Sequence, residues 1–91
     1  MNTRCICYEG KVQGVGFRAS VLALAREYEV TGGVKNLPDG RVELIARGEA
    51  EEVEAFLTAI RESHLASHIA LEQESSVDLE SLPPLRGFKI L

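Results

Sequence analysis

Ninety-one residues, 45% hydrophobic and 26% charged, suffice for one small hydrophobic core and are too few for two, so one domain spanning 1–91 is expected. A net charge of −4 and a pI of about 5.1 provide no basic face of the kind a general nucleic-acid binder needs. The apolar runs are far shorter than a bilayer span, and the first residues alternate with polar ones instead of forming a secretory apolar block, so a cytoplasmic protein is expected.

Residues 3–12 read as a β-strand, with Ile6, Tyr8 and Val12 on one face and Cys5, Cys7 and Glu9 on the other. Cys5 and Cys7 point to the same side at a spacing poor for a disulfide, and read as small buried or half-buried thiols. The strand runs into Gly10-Lys11-Val12-Gln13-Gly14-Val15-Gly16-Phe17-Arg18, where two closely spaced glycines precede a lone arginine. Such glycines let successive backbone N–H groups turn toward a common point. The first turn of a following helix adds its own unpaired N–H groups and the positive end of its dipole. Arg18 supplies a planar fork of donors that fits phosphate oxygens, so the stretch reads as an anion cradle. Neither the dinucleotide GxGxxG fingerprint nor the Walker lysine pattern is present.

Phe17, Val21, Leu24, Ala25 and Tyr28 recur at helical spacing and predict an amphipathic helix over about 18–28. Val30 to Asn36 reads as a second strand, softened by Gly32 and Gly33. Leu37-Pro38-Asp39-Gly40 has turn chemistry, and Arg41 to Arg47 alternates with Val42, Leu44 and Ala46 facing in, which completes a β-hairpin. Glu49, Glu51 and Glu52 suit the positive first turn of a second helix, with Val53, Phe56, Leu57 and Ile60 as its apolar stripe. His64 and His68 read as exposed histidines near a helix end, with no carboxylate to complete a metal site. Ser67 to Gln73 predicts a weaker strand with Ile69 and Leu71 inward. Glu74 to Pro84 reads as a loop ending in Pro83-Pro84, and Phe88 and Ile90 mark a last short edge strand.

The order βαββαβ plus a terminal strand predicts an α+β, ferredoxin-like sandwich, both helices covering one face of a mainly antiparallel sheet and the other face left wetter. In such a split βαβ unit the first two strands run parallel with the third between them. Their carboxyl ends share one sheet edge, bringing Arg18 and Asn36 together beside the glycine loop. Asn36 has two readings here. It is a strand-end residue bracing its turn through its own backbone, or a side chain that orients a water against phosphorus.

The run Gly10-x-Val12-Gln13-Gly14-Val15-Gly16-Phe17-Arg18, followed by Gly32-Gly33-Val34-Lys35-Asn36-Leu37-Pro38-Asp39-Gly40-Arg41-Val42-Glu43, resembles the acylphosphatases from about Tyr8 to Ile60, with a weaker echo to Leu91. The resemblance implies that Arg18 binds the phosphate, within a cradle of Gln13, Gly14, Val15, Gly16, Phe17 and Arg18, and that Asn36 positions the water. The implied reaction is hydrolysis of a carboxylic–phosphoric anhydride to a carboxylate and inorganic phosphate. The leaving carboxylate is a weak base, which suits motifs that hold no acid–base pair, and phosphoryl transfer needs chiefly positioning and charge stabilisation. No cofactor and no metal are expected, and a monomer is the default. Two departures from the family pattern stand out. Gly33 replaces a bulky aromatic, so the packing there is looser or filled by another residue, and Ser63-His64 replaces a Gly-Pro that closes the second helix. The same fold and motif occur as a domain of larger maturation factors handling carbamoyl phosphate, which makes a non-catalytic phosphate- or carbamoyl-phosphate-binding regulatory module the alternative. A ferredoxin-like nucleic-acid binder would need a basic face and exposed aromatics that this chain lacks.

Overall fold

In a computed structural model, which describes residues 1–76 and 86–91, the chain forms a five-stranded sheet with two helices on one side. Strand β1 (Asn2–Gly10) leads to helix α1 (Phe17–Ala25), and strands β2 (Val30–Asn36) and β3 (Val42–Gly48) follow as a hairpin. Helix α2 (Ala50–Arg61), a short 3₁₀ helix (His64–His68), β4 (Ile69–Ser75) and β5 (Phe88–Ile90) complete the order. The strands lie in the order β4-β1-β3-β2-β5. Strand β3 pairs antiparallel with both β1 and β2, and β5 pairs parallel with β2 at the edge. This is the ferredoxin-like arrangement, mainly antiparallel, with β3 between two parallel strands.

The period-two pattern decides which side chains meet the helices. Ile6, Tyr8, Val34, Val42, Leu44 and Ala46 are buried together with Phe17 and Val21 of α1 and with Val53, Phe56, Leu57 and Ile60 of α2. Aromatic rings tie the layers: Tyr8 packs on Phe17 at 5.2 Å, and Phe56 meets Phe88 edge-on at 5.4 Å. The outer face is drier at its centre than the sequence suggests. Cys5, Cys7 and Ile45 are 6%, 5% and 7% exposed, because they occupy central strands, with Cys5 paired to Ile45 in register. Both cysteines are free, and burial pushes the Cys5 thiol up to about 11.

Several element ends differ from the sequence reading. Strand β1 stops at Gly10, whose φ of +130° breaks the ladder, although Val12 is still buried. Helix α1 ends at Ala25 and not at Tyr28. Residues 26–29 continue as a turn, with the N–H groups of Glu27 and Tyr28 donating to the carbonyls of Leu24 and Ala25, three residues back. Tyr28 nevertheless packs against the core. Ser67 and His68 belong to the 3₁₀ helix, and β4 runs on through Glu74 and Ser75, which the sequence assigned to a loop. Continued pairing with Cys5 and Ile6 keeps those two residues extended. Residues 77–84 of that expected loop, Pro83-Pro84 included, lie outside the described residues. Ile69 packs on the core, but Leu71 is 45% exposed. A register shift between Glu9 and Gly10 places Leu71 opposite Glu9, on the outer face.

Both departures from the family pattern have local substitutes. The side chain of Leu91 covers Gly33, with its Cγ 2.6 Å from where a Cβ would stand. At the end of α2, the Ser63 hydroxyl donates to the Ile60 carbonyl at 2.7 Å and accepts from the Leu65 N–H at 3.1 Å. One short side chain thus closes one helix and caps the next.

Candidate active site

The loop between β1 and α1 is shaped by two glycines. Gly14 and Gly16 both adopt φ of +77°, and a Cβ on either would meet nothing within 4 Å. What these positions require of glycine is therefore the left-handed backbone itself, not space. Gly16 is the N-cap of α1, and its carbonyl accepts the Ser20 N–H at 3.0 Å to begin the helix. The N–H groups of the first helical turn are left without intrahelical partners, at the positive end of the helix dipole.

This helix start borders a cavity of about 200 Å³ lined by Val12, Gly14, Gly16, Phe17, Arg18, Ala19, Asn36 and Ile90. Arg18 reaches it from the first turn of α1 and Asn36 from the last position of β2, where the chain order brings the ends of β1 and β2 to one edge. Arg18 is half-buried and Asn36 exposed. Among the described residues Arg18 takes part in no ion pair, whereas Arg4, Lys35, Arg41 and Arg61 each have a carboxylate partner. A guanidinium, a neutral amide and a helix N-terminus around one cavity can hold an anion and a water at once.

Other residues of the motif stand elsewhere. Val15 is 37% exposed and does not line the cavity. The Gln13 side chain turns away as well, its Nε2 donating to the carbonyls of Leu37 and Arg41 at 2.9 and 3.0 Å. It thereby clamps the two ends of the β2–β3 turn, which is closed by Leu37 N–H to the Arg41 carbonyl at 2.8 Å, and ties that turn to the glycine loop. A polar side chain inside a glycine-rich motif gives no local sign of a bracing role, so sequence reasoning missed it. Ile90 was missed as a wall of the cavity for another reason. Its place depends on β5 pairing in parallel with β2, with Ile90 opposite Val34, which only the assembled sheet reveals.

On the other side of the loop lies a second hollow, lined by Glu9, Gly10, Asp39, Gly40 and Arg41. Its arginine is engaged, since Arg41 Nε donates to Asp39 at 2.8 Å. The Arg41 backbone N–H and guanidinium hold the Asp39 carboxyl below its usual range. With Glu9 also present, this hollow disfavours anions. Among the described residues no group of three or more His, Cys, Asp and Glu side chains is gathered to hold a metal ion.

Known proteins resemble this chain over most of its length. A family model described as Acylphosphatase matches residues 5–90. An acylphosphatase of Acaryochloris marina is 43% identical over 82 residues, which cover 90% of this chain and 85% of that protein. The crystal structure of acylphosphatase from Bacillus subtilis aligns with a TM-score of 0.83 at 34% identity, covering 100% of this chain and 99% of that one. The structure of T. kodakarensis HypF aligns equally well, with a TM-score of 0.83 at 29% identity, but the match spans only 12% of that longer chain.

Proposed function

The chain belongs to the acylphosphatase family, and from that premise we propose how its own residues hydrolyse an acyl phosphate. The phosphate sits in the cavity at the start of α1, its oxygens held by the Arg18 guanidinium and by backbone N–H groups of residues 14–18. Asn36 holds a water, whose oxygen attacks phosphorus. The phosphorus–oxygen bond to the acyl group breaks and its electron pair leaves with the carboxylate. The proton of the water passes to a phosphate oxygen of the substrate, so no separate base is required. Charge on the equatorial oxygens is stabilised throughout by donors already in place, the main source of catalysis in such transfers. Gln13 acts in this scheme through the fold, as a positioning residue that joins the glycine loop to the turn after Asn36.

The observation that supports this reading best is that Arg18 and Asn36, from different elements, line one cavity together with Gly14 and Gly16. In this reading the protein works as a cytoplasmic monomer without cofactor or metal. No helix among the described residues is long and apolar enough to cross a membrane.

The deciding experiment compares benzoyl phosphate with a phosphate monoester such as p-nitrophenyl phosphate, in the presence of EDTA. Release of phosphate from the anhydride and not from the ester is expected. The likeness to a small part of T. kodakarensis HypF keeps a second reading in view, a non-catalytic phosphate- or carbamoyl-phosphate-binding module. Saturable phosphate binding without turnover of any acyl phosphate would favour that module instead.

A further inference from the structure

The cavity of about 200 Å³ has room for a phosphate and a short acyl group, so a longer acyl chain must extend beyond it. The hollow beside Asp39 and Glu9 shares no lining residue with this cavity and disfavours anions for the reason given above. A surface depression of about 600 Å³ lies between α1 and β5. Leu22, Ala25, Arg26 and Tyr28 line it from α1 and the turn that follows, and Val30, Phe88, Lys89 and Ile90 from the strands. Ile90 lines the phosphate cavity as well, so the two hollows share a wall and lie side by side along α1 and β5.

Helical spacing orders the chemistry along this depression. Arg18, Leu22, Ala25 and Arg26 stand at i, i+4, i+7 and i+8, one stripe of α1 that ends on its C-cap residue. Leu22, Tyr28 and Phe88 are half-buried and Ile90 is 42% exposed, which leaves an apolar strip open to a ligand. The far end carries Arg26, exposed and in no ion pair among the described residues. At the helical rise per residue, Arg26 stands about 12 Å beyond Arg18 along the axis. The sequence along the stripe is cation, apolar strip, cation.

We infer that the α1–β5 depression seats the acyl group of the substrate, and that the preferred acyl group is an apolar chain ending in a second carboxylate, which Arg26 receives. The inference rests on the reading of the cavity as an acyl phosphate site and adds the substrate class to it. Apolar burial along Leu22 and Phe88 supplies the affinity for the chain, and the distal charge pair supplies selection for its end.

The test uses three substrates: acetyl phosphate, octanoyl phosphate and suberic acid monophosphate. In the unaltered protein KM is expected to fall in that order. Leu22→Asp is expected to raise KM for both long substrates about tenfold, the scale of a lost apolar subsite, and to leave acetyl phosphate unchanged. Arg26→Gln is expected to raise KM for suberic acid monophosphate alone, by roughly threefold, as for an exposed ion pair. Retained phosphate-induced stabilisation in both variants checks that the cavity is intact, and Leu22→Gln replaces Leu22→Asp if the latter fails to fold. Equal KM for the three substrates, an equal shift of all three in the Leu22 variant, or an Arg26→Gln effect shared by octanoyl phosphate overturns the inference while leaving the acylphosphatase site in place. Hydrolysis of none of the three by the unaltered protein overturns the site reading itself.

Discussion

Arg18 and Asn36 reach one cavity from different elements, but their side chains suit different steps. A guanidinium binds the anion in ground and transition states alike, through paired, charge-assisted hydrogen bonds. Arg18→Ala is therefore expected to abolish both hydrolysis and phosphate-induced stabilisation. Arg18→Lys should do nearly the same, since lysine keeps the charge and loses the fork. Asn36→Ala is expected to lower kcat by about 10²-fold, the scale of one positioned polar group, with phosphate-induced stabilisation mostly kept. Normal turnover in that variant would return Asn36 to a strand-end brace. Tyr8 makes a separate point at this scale. It is fully buried, and its hydroxyl has no hydrogen-bond partner among the described residues, with burial pushing its pKa well up. A buried, unpaired hydroxyl costs more than the bond it lacks. Tyr8→Phe keeps the ring contact with Phe17 and is expected to raise stability by about 1 kcal/mol, read from the urea midpoint. A loss of stability would mean that the hydroxyl has a partner in solution.

At the scale of elements, the strongest apolar periodicities were legible and the ends were not. Val53, Phe56, Leu57 and Ile60 announce α2, and all four are buried. The stripe of α1 runs three residues past the end of the helix at Ala25, because Tyr28 reaches the core from a turn as well as it would from a helix. In β4 the register shift opposite Gly10 removes Leu71 from the core, and no local pattern records a shift imposed by the partner strand. The paired glycines of β2 separate local from global causes most clearly. Gly32 has φ of +138°, and a Cβ there would overlap the Ile45 carbonyl of the neighbouring strand. Gly33 lies outside the left-handed region, and its would-be neighbours are the Leu91 side chain at 2.6 Å and the Lys89 carbonyl at 3.0 Å. Leu91 is 49% exposed and free to swing outward. Gly32→Ala is thus expected to cost about 3 kcal/mol, combining backbone strain with a clash that cannot relax. Gly33→Ala should cost less than about 1 kcal/mol. Equal losses in chemical denaturation would mean that the edge strand, and not the backbone of β2, sets the tolerance of both sites.

For the whole molecule, topology and charge act in opposite directions on the site. The order β1-β3-β2 within the sheet follows from the alternation of strands and helices in the sequence, so the meeting of Arg18 and Asn36 was legible there. Their common cavity wall at Ile90 was not, because it requires the terminal strand to dock in parallel. The net charge of −4 repels a phosphate at long range, yet that repulsion is screened beyond about 10 Å at ordinary ionic strength. In the proposed site, hydrogen bonds from Arg18 and the helix start act at contact distance and are screened far less, so capture is local. Binding to the folded state alone raises stability by about 2.7 kcal/mol at a ligand concentration a hundredfold above Kd. Inorganic phosphate is accordingly expected to raise Tm, and chloride at matched ionic strength to do much less, since it lacks the oxygens that match a guanidinium fork. Raising the salt from low to moderate levels should speed phosphate association, because it removes the long-range repulsion, while the Tm gain at saturating phosphate persists. Identical melting curves in phosphate and chloride would remove the cavity as an anion site, whatever the geometry of Arg18 and Asn36 suggests.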